Sequence, residues 1–506
     1  MLKNDSAFAP FMSTSHSLSV GLNPLGMRTA SEQLFTTLLP GMNVVTLRVR
    51  YYSFYCWLLK NFYAERENAS LGEFRKHIRM SEFLMALIHA SSDNSQGIPG
   101  ITVATEVVNE GGDIIDIAKS ATPGGKNSGG YWKGTLGALG TYYVASLQEM
   151  GLIAPIADKP HFYNITKKED SDYICGETLA DAFEASIGKK CSELFCKCVN
   201  VGQVTFNELE DLEHAFQSHD MQEGEERTLL RQMLLQEDRP ASGMASTMRK
   251  ETIYLLLRYF ADNDVESLSE LEYARFIYQQ FKQGKVNSAA AVGWYAYYLN
   301  DSRQFEALNI FVDVLEKLRE SAMPGGWENI DQFAERMSDD VCDEMGIGNE
   351  LLDELLDDWD SIEVPESKMS KAFYQMLDNY VQNKEYLEHK ELLNEFFHDV
   401  RNDALDSFEV LEDKMGMPFH DYVKMFLTDY IIYNHYTEAM RKFSQNGVPT
   451  QKLAIENGYV RWLDGYFSTH SSPRINTLYN FVSDLRLVEN YKLTADGVEL
   501  LKELAK

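Results

Sequence analysis

The sequence has few positive charges for its size, and the deficit is unevenly placed. It contains 47 Lys or Arg against 77 Asp or Glu among 506 residues, a net charge of −30. Residues 1–135 hold twelve basic and eleven acidic side chains, so the rest of the chain carries −31. Phosphate binding depends on clustered Lys and Arg, which argues against general coating of DNA. Any contact with DNA has to be local or made through a basic partner.

Long apolar runs, a charged leader and metal-type cysteine pairs are also missing. No basic segment followed by an apolar stretch opens the chain, so a secretory signal is not expected. Apolar runs such as Tyr51–Leu59 are far shorter than the roughly 20 residues of a membrane span. Cys191, Cys196 and Cys198 form C-x4-C-x-C without a second pair, and we expect reduced thiols rather than a zinc site. The sequence predicts a cytoplasmic protein that does not enter a membrane.

Catalytic motifs are equally scarce. The stretch ATPGGKNSGG resembles a phosphate-binding loop. That motif requires Gly at position 120 and Ser or Thr at position 127. This chain has Ser120 and Asn127 at those positions, so the motif is incomplete. Glu395 and His398 form a single E-x2-H pair, whereas a di-iron site needs two. No nucleophile elbow and no H-E-x-x-H motif is found. The sequence therefore predicts no cofactor and no metal ion, and it favours a non-enzymatic protein.

One enzymatic alternative stays open, in the region from His398 to His435. Asp421 and Asp429 are eight residues apart, which aligns them on one face of an α-helix about two turns apart. A metal-dependent nuclease could use such carboxylates together with the neighbouring histidines. Amphipathic helices carry the same residue types routinely on solvated faces, and that interpretation is the simpler one.

Helix-forming sequence dominates the chain. Prolines number only 13, and residues 205–446 repeat apolar side chains at spacings of three and four, as amphipathic helices do. Ser31 is a candidate N-cap for the first helix, and a second helix is predicted from about residue 45 to residue 64. Twelve acidic residues and no Lys or Arg lie between Asp339 and Glu366, which is typical of a solvated helix face with a loop.

Two short stretches of the chain echo each other. Each has the end of a helix leading into a strand, then a returning strand, then a closing helix, a pattern typical of the tail of a winged helix. In the first copy, the helix end is Leu147–Pro155, the returning strand is Tyr163–Thr166 and the closing helix is 176–187. In the second copy, the same three segments are Val482–Asn490, Tyr491–Thr494 and 495–504. Candidate caps of the closing helices are Thr166 or Thr178, and Thr494.

These patterns predict a mainly α, helical multidomain chain with two winged-helix (α+β) units. The predicted domains are an N-terminal helical domain with a Gly-rich loop at 1–130, a winged-helix-like domain at 131–200, an acidic helical middle domain at 201–446 and a C-terminal winged-helix-like domain at 447–506.

Basic and aromatic side chains supply the candidate contact residues. The candidates for DNA contact are Arg28, Arg48, Arg50, Lys133, Lys167 and Lys168. The candidates for docking of a partner protein are Arg474, Tyr479, Arg486 and Tyr491. The helices that would read DNA carry the acidic residues Glu149 and Asp484, whereas DNA contacts usually come from Arg, Lys and polar side chains. Protein docking is therefore the favoured use of both units.

The layout resembles that of bacterial kleisin subunits of SMC-type complexes, which are acidic, helix-rich and carry a winged helix near each end. The resemblance rests on YYVASLQEMGLI…YNIT, on YNFVSDLRLVENYKLT and on the acidic helical centre. It implies an SMC-like ATPase as partner, with the C-terminal winged helix capping one ATPase head and the N-terminal part binding the neck of the other. This chain differs in placing residues 1–130 before its first winged helix.

The predicted function is a non-enzymatic scaffold subunit of a bacterial DNA-associated ATPase complex, with anti-phage or anti-plasmid defence as a possible setting. DNA would be contacted directly or through the ATPase. A stand-alone winged-helix regulator that binds duplex DNA is the first alternative, and the metal-dependent nuclease is the second. A homodimer is compatible with each of them.

Overall fold

The computed structural model describes residues 23–90, 96–122, 134–168, 173–219, 221–237, 247–391, 393, 400–447 and 449–505. It is 65% helix and 6% strand, which confirms the predicted mainly α class. Within those ranges no helix has both the length and the apolar composition that crossing a membrane requires.

The helices account for most of the described chain. They are α1 (Arg28–Leu38), α2 (Arg50–Glu65), α3 (Leu71–Ala90), α4 (Ile101–Glu110), α5 (Ile117–Ser120), α6 (Val144–Glu149), α7 (Gly176–Val201), α8 (Phe206–Phe216), α9 (Glu225–Leu235), α10 (Met248–Asp262), α11 (Glu270–Lys282), α12 (Ala289–Arg319), α13 (Ile330–Met345), α14 (Leu352–Asp357), α15 (Lys368–Gln382), α16 (Asp403–Glu412), α17 (Phe419–Met425), α18 (Asn434–Asn446), α19 (Ile475–Asp484) and α20 (Ala495–Leu504). π-helical segments at Leu139–Tyr143 and Phe426–Tyr433 lead into α6 and α18.

The strands are short and all their pairings are antiparallel. They are β1 (Ile114–Asp116), β2 (Ile153–Pro155), β3 (Tyr163–Ile165), β4 (Gln203–Thr205), β5 (Glu328–Asn329), β6 (Leu453–Glu456), β7 (Tyr459–Trp462), β8 (Val488–Glu489) and β9 (Lys492–Leu493). β1 pairs with β4, β2 with β3 and β8 with β9, while β7 lies between β5 and β6.

The described residues group into two compact units. Within the described ranges, the first unit draws on residues 23–35 and 292–473, and the second on residues 36–291 and 474–505. Each unit therefore combines segments that are remote in the sequence. The division into four domains stays a prediction. Composition marks where a segment changes character, but it carries no information on which distant segments pack together.

Helix α2 forms the centre of the second unit. Every residue from Arg50 to Leu59 is buried, as expected for a helix that is surrounded by other elements. The Trp57 ring lies 5.3 Å from that of Phe183 and 5.4 Å from that of Phe195, both on α7. The aromatic N-terminal stretch is thus largely core.

The first unit is organised around α12 and a buried histidine. His435 of α18 packs its ring 4.7 Å from that of Phe311 on α12. Its Nδ1 lies 3.0 Å from the carbonyl oxygen of Pro24, and its Nε2 accepts the N–H of Lys452 at 2.9 Å. Burial lowers the pKa of His435 to about 4, so this side chain is a neutral structural bridge at neutral pH.

Two predicted helix starts were wrong. Helix α1 begins at Arg28, and Ser31 is buried within it; the side chain of Asn23 accepts the Arg28 N–H at 3.1 Å instead. Helix α2 begins at Arg50 rather than near residue 45. The preceding segment is a turn in which the Thr46 hydroxyl bonds to both backbone polar groups of Asn43 at 2.9 Å, an alternative that Ser and Thr side chains offer to helical hydrogen bonding.

Candidate protein-docking site

The echo in the sequence corresponds to two helix–hairpin–helix motifs in the second unit. The first hairpin motif consists of α6, β2, β3 and α7, and the second hairpin motif of α19, β8, β9 and α20. Ile153 faces Ile165 in the first hairpin, and Val488 faces Leu493 in the second. The predicted order of elements is therefore present in both copies.

Both motifs end their first helix in the same way. Gly151 and Arg486 adopt left-handed backbone conformations, with φ of 71° and 57°. In each copy the N–H of the next leucine donates to the carbonyl five residues earlier, at 2.9 Å for Leu152 and 2.8 Å for Leu487. This geometry is that of a Schellman C-cap, and it directs the chain into the first strand.

A threonine closes each motif. Thr166 Oγ1 donates to the Gly151 carbonyl at 2.7 Å and accepts the N–H of Gly176 at 2.9 Å. Thr494 Oγ1 makes the same two bonds, at 2.6 Å to the helix-end carbonyl and at 3.1 Å from Gly497. The hydroxyl thus joins the end of the first helix to the start of the last one. Thr494 is confirmed as a cap.

The two glycines whose N–H groups donate to these threonines, Gly176 and Gly497, lie against backbone. A Cβ atom at Gly176 would be 2.1 Å from the carbonyl oxygen of Leu152, and one at Gly497 would be 2.0 Å from that of Leu487. Because such an oxygen belongs to the chain itself, it cannot rotate aside as a side chain would. Thr178, the alternative cap, lies inside α7 instead.

Equivalent acidic side chains attach both motifs to the segment before α2. Glu149 Oε2 accepts the N–H of Gly41 at 2.7 Å. Asp484, the corresponding residue, accepts from Arg48 Nη1 at 2.8 Å and from the Val49 N–H at 3.4 Å. The helices that would enter a DNA groove in a winged-helix reader are therefore fastened at their ends to their own unit.

Helix α19 and the π-helical segment that leads into α6 both pack on one side chain of α2. The Tyr52 ring lies 6.0 Å from that of Tyr143 and 5.6 Å from that of Phe481. The residues that these helices leave exposed include Gln148, Glu149 and Asn476, which are neutral or acidic. This composition does not favour binding to phosphate groups.

The predicted DNA-contact arginines are engaged within the protein. Arg28 pairs with Glu32 at 3.2 Å along α1, and Arg48 pairs with Asp484 as described above. Arg50 is buried, and its Nε and Nη2 atoms bond to the Glu226 carboxylate at 3.0–3.3 Å. Its Nη1 donates to two backbone carbonyls, at 2.9 and 2.5 Å.

The predicted DNA-contact lysines have a different setting. Lys167 and Lys168 are exposed and follow Thr166, the first residue after β3. Lys133 lies outside the described residues. The DNA-contact role of all six residues stays a prediction.

The docking candidates Tyr479 and Tyr491 are brought together. Their half-buried rings stack with centroids 4.7 Å apart and an interplanar angle of 11°. Phe260 of α10 lies beneath, 5.8 Å from Tyr479 and 6.4 Å from Tyr491. Asn490 and Tyr491 have φ of 49° and 63°, as a tight two-residue hairpin turn requires. We call Tyr479, Tyr491 and Phe260 the tyrosine patch.

The two arginines among the docking candidates lie at the two ends of α19. Arg474 precedes the helix with φ of 65°, and its side chain donates to the Met42 carbonyl. Arg486 follows it in the left-handed position described above. Phe260 was missed from the sequence, because nothing local marks an aromatic residue of α10 as a neighbour of the C-terminal hairpin.

The residues proposed for a nuclease have different surroundings. Asp421 is exposed beside His420, and Asp429 lies in the π-helical segment. The expected alignment of Asp421 with Asp429 assumed α-helical geometry, which a π-helix with its i→i+5 hydrogen bonds does not keep. His435 is the buried bridge described above. Glu395 and His398 lie outside the described residues.

Metal binding finds no support in the described ranges. They contain no group of three or more His, Cys, Asp or Glu side chains that could hold an ion. Cys191, Cys196 and Cys198 are free thiols.

Comparison with protein-family models, with curated proteins and with solved structures found no match. The geometry of the hairpin motifs and the chemistry of their surfaces are therefore the basis for a functional proposal.

Proposed function

We propose that this protein is a non-enzymatic scaffold subunit of a DNA-associated ATPase complex and that it docks on the ATPase through the second hairpin motif. The observation that carries the proposal is the tyrosine patch. Two stacked, half-buried tyrosine rings offer a rigid surface with apolar faces and polar edges, and such side chains are enriched at interfaces and among their energetic hot spots.

We further infer that both hairpin motifs are winged-helix units used for protein docking. Their common order of elements and their matching threonine bonds support one fold for both. The attachment of Glu149 and Asp484 to the segment before α2 supports docking over groove reading, since it commits the helix ends to internal packing.

The partner class rests on the architectural resemblance to kleisin subunits and on charge. A chain that carries −31 beyond residue 135 suits a partner with a basic surface, because complementary charge speeds association and selects partners. An ATPase that itself binds DNA has such a surface. Arg48 and Arg50 already bind the carboxylates of Asp484 and Glu226. This favours DNA contact through the partner over DNA contact by these two arginines.

Site-specific photo-crosslinking in the native host tests the proposal. A photoreactive residue at Tyr491 should capture an ATPase polypeptide, and the same residue at the exposed Met323 of the first unit serves as the matched control. With the purified partner, Tyr491→Ala should weaken binding about 30-fold, the loss of about 2 kcal/mol expected for an interface hot spot.

Other outcomes would contradict the scaffold role. Identical products from both crosslinking positions would mean that the tyrosine patch does not dock a partner. Sequence-specific binding of duplex DNA by the purified chain would favour the regulator, and Lys167 and Lys168 would be the first residues to replace. Divalent-metal-dependent cleavage lost on Asp421→Ala or Asp429→Ala would favour the nuclease.

A further inference from the structure

The first unit contains a cavity of about 610 Å³ beside the π-helical segment Phe426–Tyr433. Arg303 of α12 and Asp403 of α16 line it together with Tyr422 of α17. The lining also includes exposed residues, among them Asp429. The volume is in the range of pockets that hold small organic ligands.

Two charged groups in this cavity each leave one polar atom without a hydrogen-bond partner among the described residues. The Nε atom of Arg303 is buried and bonds to no described residue, while its Nη1 reaches only the Met27 sulfur at 3.4 Å. Asp403 is 4% exposed, and its Oδ1 accepts from Arg401. The Oδ2 atom of Asp403 is buried and has no partner among the described residues. Buried charged groups are normally paired, so a donor and an acceptor are both left for a ligand.

Aromatic rings form a wall of the cavity. The rings of Phe426 and Tyr430 stack 5.3 Å apart at 19°, and Tyr422 lies 6.2 Å from Phe426. Phe426 and Tyr430 belong to the π-helical segment, a geometry that occurs frequently at functional sites. Ring faces of this kind suit a flat, conjugated ligand.

The charge of the lining restricts the ligand further. Arg303 and Arg401 face three carboxylates, those of Asp403, Asp406 and Asp429. The lining is therefore acidic overall, which disfavours phosphate groups and carboxylate ligands. A neutral ligand that offers both hydrogen-bond acceptors and donors is the better match.

We propose that this cavity binds an unphosphorylated guanine nucleoside. The guanidinium of Arg303 would donate to guanine O6 and N7, the commonest specific contact between arginine and this base. The free Oδ2 of Asp403 would accept from guanine N1–H or from its amino group. The hydroxyls of Ser407 and Thr437, which also line the cavity, would face the ribose. Adenine offers N7 but presents an amino donor where guanine has O6, so Arg303 selects guanine.

Isothermal titration of the full-length protein tests this at constant salt, with guanosine, adenosine, GMP, GTP and a short single-stranded oligonucleotide containing guanine. Guanosine should bind at least about tenfold more tightly than adenosine, as expected for one bidentate contact, and more tightly than GTP. Arg303→Met and Asp403→Asn should each weaken guanosine binding at least about tenfold. Asp421→Asn, an exposed change outside the cavity lining, should leave binding unchanged.

Several results would overturn the assignment. Absence of guanosine binding at millimolar concentration would leave a water-filled cavity, and equal affinities for guanosine and adenosine would remove the role of Arg303. Unchanged binding by Arg303→Met, with a thermal transition showing that the variant is folded, would place the nucleoside elsewhere. Tighter binding of the oligonucleotide than of guanosine would assign the cavity to guanine within nucleic acid and reject the free nucleoside.

Discussion

Glu149 and Asp484 occupy the same position in two copies of one motif, and each carboxylate accepts a backbone N–H from the segment before α2. Their surroundings differ. Asp484 is 2% exposed and forms an ion pair with Arg48 at 2.8 Å, whereas Glu149 is exposed. The first copy thus uses a solvated hydrogen bond where the second uses a buried ion pair.

The two carboxylates should therefore contribute unequally to stability. We expect Asp484→Asn to lower the free energy of unfolding by about 3 kcal/mol, because it removes a buried carboxylate and leaves the Arg48 guanidinium, only 11% exposed, without its ion-pair partner. Glu149→Gln should cost about 1 kcal/mol or less, since the Glu149 side chain is exposed to water and the amide oxygen of Gln can still accept the Gly41 N–H. Urea denaturation of both variants measures the difference. Equal losses would show that burial does not distinguish the two sites.

The close approach of backbone at the two closing helices predicts that alanine is not tolerated there. Gly176→Ala and Gly497→Ala should each lower the free energy of unfolding by about 2 kcal/mol, the cost of overpacking against an atom that cannot move aside. Gly465→Ala is the control, because a Cβ there meets nothing within 4 Å; it should change stability by about 0.5 kcal/mol or less. A neutral effect at either closing helix would mean that the helix shifts freely.

Burial of His435 predicts a pH-dependent contribution to stability. Its pKa is lowered from 6.5 to about 4 in the folded protein, so the unfolded chain binds one more proton between these values. The contribution is fully present above pH 6.5 and is lost as the pH falls toward 4, by up to about 3 kcal/mol. Denaturation of His435→Asn between pH 4 and pH 7.5 should show a correspondingly smaller loss on acidification.

Other buried groups titrate in the same pH window and remain in both proteins. The pKa values of His77 and His89 are also lowered to about 4, and that of Glu82 is raised to about 7, in each case mainly by burial. The two histidines add to the acid loss and Glu82 opposes it. Only the difference between the wild-type and His435→Asn slopes reports on His435, and parallel slopes would show that this side chain does not stay neutral.

Two arginines should differ in how the same substitution changes the free energy of unfolding. Arg50→Met should lower the free energy of unfolding by about 3–5 kcal/mol, because Glu226, itself buried, would lose its partner. Arg303→Met should leave stability unchanged or raise it by about 1–2 kcal/mol, since it removes a guanidinium whose Nε is buried and unpaired. Thermal and urea unfolding compare them. A large loss in Arg303→Met would indicate that ordered water already pairs this group.

Local patterns in the sequence predicted much of the secondary structure and part of the candidate site. The helical class, the strands at Tyr163 and near Tyr491, and the Thr494 cap all depend on residues close together in the chain. The helix starts at Ser31 and near residue 45 were wrong because side chains of Asn23 and Thr46 satisfy backbone groups in ways that periodicity does not show.

The pairing of distant residues was not predictable in the same way. Arg48 and Arg50 are candidates for DNA contact in the sequence, and the fold provides a carboxylate for each, from Asp484 and Glu226. The ion-pair partner of a charged residue cannot be identified from the sequence when that partner lies far away along the chain. The contact of Phe260 with Tyr479 and Tyr491 was not predictable for the same reason, because these residues are also far apart in the sequence.

The sequence by itself determined the mainly helical class and the repeated helix–hairpin–helix pattern, because helical periodicity, turn residues and caps act over a few residues. Only the tertiary structure decided that Asp484 is buried against Arg48, that Tyr479 and Tyr491 stack over Phe260, and that Arg303 and Asp403 share a cavity. Those relationships depend on which distant segments pack together, and the free energy that selects that packing belongs to the whole core rather than to any local stretch.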